Sequence, residues 1–201
     1  PEFLLYQSLF KHRGIEATIC DPRELDFRDE KLWHGSRAID FVYNRLTDFA
    51  LEETAQAVLR LAYLGCHVVV SPHPRAHALY ADKRNLTLLC DEPFLRSTGV
   101  AEEVIGILLV AVPRTELVTS ANRDAMWTRR RGLFFKPAAG YGSKAAYRGE
   151  KLTKRVWEEI SGSTYVAQAL VVPSERNAGD AQAASALKAD IRNYAYAGVV
   201  K

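Results

Sequence analysis

Leu133-Phe134-Phe135-Lys136-Pro137-Ala138-Ala139-Gly140-Tyr141-Gly142-Ser143-Lys144 is the stretch on which the reading of this chain turns. Residues 133–136 form an apolar strand that carries one lysine. Pro137 removes a backbone donor and stops it. Small residues with two glycines follow, able to turn a loop whose backbone amides surround phosphate oxygens. Alone, the passage reads equally as a phosphate loop or as an ordinary glycine-containing hairpin connection. It is not a Walker A loop, because no GKS or GKT precedes a helix, and no GxGxxG fingerprint follows a strand.

Downstream, the pattern predicts a loop over 137–142, a strand over 144–147, a helix over 151–160, a strand over 165–172 and a strand over 187–197. Between the last two, 179–185 is small, polar and alanine-rich, and is expected to be mobile. Upstream, a short strand is predicted over 114–118, and 75–111 reads as mostly helical, including an amphipathic stretch over 81–95 and a break at Ser97-Thr98-Gly99. This part is α+β in style, with antiparallel pairs.

The beginning of the chain differs. A helix is predicted over 3–12 before Gly14, strands over 15–20 and 38–43, a helix over 51–63 ending at Gly65, and a β-branched strand over 67–71 closed by Pro72 and Pro74. That alternation predicts a small parallel sheet with helices on its faces. The expected organisation is therefore α/β to α+β: a lobe over 1–74 and a second region over 75–201, with no internal repeat.

Of 201 residues, 48% are hydrophobic and 25% charged, a balance that excludes a disordered chain and suits a globular one. Apolar runs are too short to cross a bilayer and no signal-peptide pattern is present, so no membrane partner and a cytoplasmic location are expected. The net charge of +3 is mild and gives no case for nucleic acid. Its one basic run, Arg129-Arg130-Arg131, reads as a solvated helix end or loop. Cys20, Cys66 and Cys90 are widely spaced, form no CxxC pair, sit in apolar surroundings and read as buried free thiols in a reducing cytoplasm. The five histidines share no spacing suited to a metal, and no metal ligands are assigned.

Three more passages join the glycine loop: Asp82-Lys83-Arg84 at a helix start, Tyr165-Val166-Ala167-Gln168-Ala169-Leu170-Val171-Val172-Pro173-Ser174-Glu175, and Leu187-Lys188-Ala189-Asp190-Ile191-Arg192-Asn193-Tyr194. In this order they resemble the ATP-grasp superfamily, as in glutathione synthetases and D-alanine ligases, over about residues 72–201. The lobe before them looks like the α/β domain that precedes the ATP-grasp fold in those enzymes, whose own sheet lobes are antiparallel.

The resemblance implies that Lys83 and Lys136 reach the phosphates and adenine edge of ATP, and that Gly140, Tyr141, Gly142 and Ser143 close over the phosphates. It places Gln168 where the family often has a hinge Glu, meeting the adenine amino group, with Ala169 and Leu170 offering backbone groups to the adenine edge. Glu175 matches the carboxylate that takes the ribose hydroxyls, and Arg192 the substrate-facing arginine. The activity implied is an ATP-dependent carboxylate–amine ligase that works through an acyl phosphate, on a small-molecule or peptide carboxylate and an amine. An ATP-binding module without ligase activity and an ATP-grasp kinase are the alternatives. The resemblance also implies magnesium, with ligands beyond Lys201, so the chain is expected to be part of a longer protein. A homo-oligomer is compatible with all of this.

In the first lobe, Phe41-Val42-Tyr43-Asn44-Arg45-Leu46-Thr47-Asp48 begins apolar and turns polar at its carboxyl end, where open α/β sheets place ligands. Asn44, Arg45 and Asp48 are therefore candidates to line a substrate pocket. The equal alternative is helix capping by Thr47 or Asp48 with a surface Arg45.

Overall fold

A computed structural model describes residues 1–142, 144–178 and 185–200; side chains are described for these except at 177, 178, 185 and 186. The chain divides into two compact units, Pro1–Asp82 and Lys83–Lys201. Among the described residues the architecture is mixed α and β, with eight α-helices and several small sheets.

The first unit opens with α1 (Glu2–His12), then a three-stranded antiparallel meander of β1 (Leu25–Arg28), β2 (Lys31–His34) and β3 (Arg37–Ile39). β4 (Phe41–Tyr43) and β5 (Val69–Ser71) pair in parallel, joined through α2 (Ala57–Leu64), and α3 (Pro74–Tyr80) follows. The expected parallel sheet is thus two strands wide, and the expected strand over 15–20 belongs to no sheet. The meander lies outside the expected elements because its first turn contains no glycine or asparagine: Asp29 and Glu30 themselves adopt left-handed φ of 50° and 55°. Leu32, Leu51, Leu59, Ala62, Val68 and Val70 form the core of this unit.

The second unit begins with α4 (Asn85–Leu88), α5 (Glu92–Ser97) and α6 (Glu102–Ala111). The helix expected over 81–95 is broken at Asp91. Its carboxylate accepts from the Phe94 amide at 3.0 Å, and Pro93 sits in the first turn, so a new helix starts there.

A four-stranded antiparallel sheet follows, in the order β6 (Thr115–Leu117), β9 (Tyr165–Ala169), β7 (Leu133–Pro137), β8 (Tyr147–Arg148). α7 (Arg123–Arg129) connects β6 to β7, and α8 (Lys154–Ser161) connects β8 to β9. α8 is amphipathic, N-capped by Thr153, and buries Trp157 and Ile160. Strand alternation sends Leu133, Phe135, Tyr165 and Ala167 into one core with Met126, Trp157 and Ile160. Full burial of Phe135 contributes about 1.5–3 kcal/mol.

Two hairpins complete the described chain: β10 (Ser174–Ala178) with β11 (Ser185–Ala189), and β12 (Ala195–Tyr196) with β13 (Val199–Val200). The single strand expected over 187–197 is therefore interrupted. Ala197 and Gly198, at φ of 50° and 76°, make a tight turn that gives 195–200 its own hairpin. Of the connection expected to be mobile, 179–184 lies outside the described residues.

Candidate functional site

The alternation that buries Leu133 and Phe135 turns Phe134 and Lys136 to the opposite face of β7. Phe134 is directly across from Gln168 on β9, and Gln168 is directly across from Thr115 on β6. Lys136 and Gln168 are thereby diagonal neighbours, and the Lys136 ammonium donates to Gln168 Oε1 at 2.7 Å. Gln168 Nε2 donates to Thr115 Oγ1 at 3.0 Å, and Thr115 Oγ1 donates to the Pro113 carbonyl at 2.8 Å. The Phe134 ring centroid lies 5.5 Å from the Lys136 ammonium.

Lys83 reaches the same loop from the start of the unit. Its backbone N–H donates to the Ala138 carbonyl at 2.9 Å and its ammonium to the Gly140 carbonyl at 3.0 Å. Ala138 is buried and donates its own N–H to Thr164, which fixes the root of the loop. Gly140 takes φ of 135° and Gly142 takes 63°, conformations open to glycine at little cost. The Lys144 ammonium lies 5.0 Å from the centroid of the exposed Tyr141 ring. Ser143 lies outside the described residues.

Among the described residues, neither Lys83 nor Lys136 forms an ion pair; each ammonium is held by a neutral oxygen. Burial, and then the charge of Lys83, push the Lys136 ammonium below the ordinary lysine pKa. Two cations close enough to repel, one of them half-buried and neither ion-paired among the described residues, are electrostatically suited to an anion.

The other predicted residues are placed differently. The backbone N–H groups of Ala169 and Leu170 already donate, to Arg114 O at 2.7 Å and Gly132 O at 2.9 Å. Gln168 turns both polar atoms of its side chain to Lys136 and Thr115. Glu175 sits exposed on β10 opposite Lys188, and Arg192 is exposed between the two hairpins. No hydrogen bond or ion pair joins either side chain to the lysine pair among the described residues. Thr115 was not singled out from the sequence. A lone threonine opening a short strand carries no signal, and it is found only once the register sets it across from Gln168.

In the first unit, Asn44 is buried, donates to the Pro72 carbonyl at 3.3 Å and accepts from the Leu46 amide at 2.9 Å, so its amide holds the turn after β4. Asp48 accepts from the Glu53 amide at 2.8 Å. Arg45 is exposed, pairs with Glu2 at 2.7 Å and lies 5.9 Å from the Tyr43 ring centroid. Asn44 and Arg45 line a cavity of about 440 Å³ walled chiefly by apolar groups including Tyr6, Phe10, Tyr43 and Leu59; Asp48 does not.

Among the described residues, no cluster of three or more His, Cys, Asp or Glu side chains is arranged to hold a metal ion, and no helix is long and apolar enough to cross a membrane. Compared with known protein families and with curated proteins, the chain matches none.

Proposed function

We propose that Lys83, Lys136 and the Gly140–Gly142 loop hold the phosphates of ATP, and that the chain supplies the nucleotide-holding part of an ATP-grasp carboxylate–amine ligase. The observation that carries the nucleotide half is the lysine pair: two ammonium groups on separate elements, both bonded to neutral oxygens and, among the described residues, neither paired with a carboxylate. A polyphosphate supplies the missing negative charge. The ligase half rests on the sequence resemblance to ATP-grasp enzymes.

In that reaction a substrate carboxylate oxygen attacks the terminal phosphorus of ATP and ADP leaves. An amine then attacks the acyl carbon, loses a proton and expels phosphate. This chemistry asks the protein for alignment and fixed positive charge rather than for a nucleophile. Lys136 and Lys83 oppose the charge of the phosphate oxygens, and the loop, tied to Lys83 at two points, fixes where they lie. Magnesium accompanies ATP in this class, and the described residues of this chain present no acidic cluster to hold it. The adenine roles of Gln168, Ala169 and Leu170, the ribose role of Glu175 and the substrate roles of Arg192, Asn44, Arg45 and Asp48 belong to the same proposal. They have weaker support, since Gln168, Ala169, Leu170, Asn44 and Asp48 already use the groups assigned to ligands.

Calorimetric titration with a non-hydrolysable ATP analogue and magnesium tests the nucleotide half, with Lys136→Ala beside the parent chain. Saturable binding that the variant loses supports it; equal affinity of the two proteins sinks it. Formation of a hydroxamate from ATP, a carboxylate and hydroxylamine by the whole protein tests the acyl phosphate.

A further inference from the structure

Lysine places its charge on a flexible four-carbon stem, so a lysine that must meet a phosphate at a fixed point needs a partner to hold it there. For Lys136 that partner is Gln168 Oε1, at 2.7 Å. Gln168 is itself a flexible side chain, half-buried, and what holds it is Thr115. Thr115 is 3% exposed, β-branched and therefore stiff at χ1, and its hydroxyl proton is already given to the Pro113 carbonyl at 2.8 Å. With the proton committed, the oxygen offers Gln168 only lone pairs.

The polarity of the whole series follows from its ends. An ammonium can only donate and a carbonyl can only accept, so every proton points from Lys136 toward Pro113. A reversed amide would set two donors against each other at Lys136 and leave Oε1 facing a hydroxyl whose proton is spent. The neutral amide has a further consequence: it orients the ammonium without cancelling its charge, as a carboxylate at the same position would.

We propose that Thr115 is a positioning residue that, through Gln168, holds the Lys136 ammonium in place for an anionic ligand. The identity of that ligand as the phosphates of ATP rests on the function proposed above; the hold on Lys136 does not. The two are tested by separate readouts on the same proteins. Lysine labelled with carbon-13 at the ε position reports the titration of Lys136 by NMR, its signal assigned by its loss in Lys136→Met. Thr115→Val keeps the shape and removes the acceptor. It is expected to lower the Lys136 titration midpoint by about half to one pH unit, since a charge-assisted hydrogen bond to the ammonium is weakened. Thr115→Ser is expected to restore the parent midpoint. Gln168→Met instead removes Oε1, the acceptor that meets the Lys136 ammonium, while leaving the buried threonine in place, and is expected to lower the midpoint at least as far.

An unchanged midpoint in Thr115→Val overturns the proposal whatever Gln168→Met shows, as does a serine variant that behaves like the valine variant. Titration with the ATP analogue and magnesium forms the second arm. About a tenfold loss of affinity in Thr115→Val, recovered in Thr115→Ser, is expected. Parent affinity in the valine variant overturns the positioning role. Absence of binding by the whole protein refutes the ATP reading, and the NMR midpoints then decide the role of Thr115 by themselves.

Discussion

Lys83 grips the glycine loop twice, through its backbone N–H to Ala138 at 2.9 Å and through its ammonium to the Gly140 carbonyl at 3.0 Å. The second contact sits where φ of 135° leaves the chain to glycine, so the side chain spans to the part of the loop with the least intrinsic order. Lys83→Met keeps the length and the backbone bond while deleting the charge. ATP-analogue affinity is expected to fall by about 1.5–3 kcal/mol, roughly ten- to a hundredfold. Trypsin cleavage after the exposed Lys144 is expected to quicken in the free variant. Parent-like affinity together with parent-like cleavage would remove Lys83 from the site.

The depressed pKa of Lys136 makes a signed statement about stability. Above its folded-state value and up to the ordinary 10.5, the unfolded chain binds the proton that the folded chain has released. The penalty for burying the charged form is therefore full at neutral pH and is relieved as pH rises through that window. Urea melts of the parent chain and of Lys136→Met should show the stability difference moving in favour of the parent as pH is raised from neutral to 10.5. ATP-analogue affinity should fall over the same window, because the cation that meets the phosphates is being lost. A stability difference flat in pH would mean that Lys136 is not desolvated as the structure has it.

How much of this was legible in the sequence depends on the kind of residue. Periodicity located α1, α8, β7 and β9 because their apolar residues repeat at the helix or strand period and their ends carry proline, glycine or threonine. It missed the β1–β3 meander, whose first turn uses Asp29 and Glu30, and it joined α4 to α5 across Asp91, a cap that reads as one polar residue among several. Lys83, Lys136 and the glycine loop, which the resemblance to ATP-grasp enzymes singles out, do come together. The Gln168–Thr115 contact could not be read, because it depends on which strands neighbour which: β9 lies between β6 and β7, an order that only the packed sheet decides.

The same limit applies to Arg129-Arg130-Arg131, which reads in sequence as a solvated run. Arg129 pairs with Glu116 at 2.8 Å, and Arg130 lies 3.9 Å from the Trp127 ring centroid with Nη1 donating to the Trp127 carbonyl at 2.8 Å. Glu116, on edge strand β6, also meets Arg114 at 3.1 Å, and Arg129 first, then Arg114, hold its carboxyl below the ordinary 4.5 despite some burial. A depressed carboxyl stabilises the fold above its unfolded value and loses that contribution as pH falls through the folded one. Glu116→Gln should therefore cost about 1 kcal/mol near neutral pH. The difference from the parent should close as the pH is lowered below 4.5. A cost independent of pH, measured by urea melts, would assign the loss to packing.

Two glycines give opposite expectations for one chemical change. Gly149 is buried in the turn Gly149–Lys151, and a Cβ there would lie 1.9 Å from the Arg130 carbonyl oxygen and 2.9 Å from that of Leu133. Both are backbone atoms, so relief requires the turn to move away from the start of β7, the strand that carries Lys136. Gly149→Ala is expected to destabilise by about 1–3 kcal/mol or more. It should weaken nucleotide binding as well, because Lys136 shifts with its strand. Gly106 lies inside α6 with nothing within 4 Å of the corresponding position. There the added methyl meets no obstacle and only restricts the unfolded chain, so Gly106→Ala should stabilise by about 0.5–1 kcal/mol and leave binding untouched. Thermal melts of the two variants with and without the ATP analogue separate the cases. If Gly149→Ala were as stable as the parent chain, the close approach of its turn to the Arg130 carbonyl would be refuted, and with it the support of β7 by the segment that follows the loop.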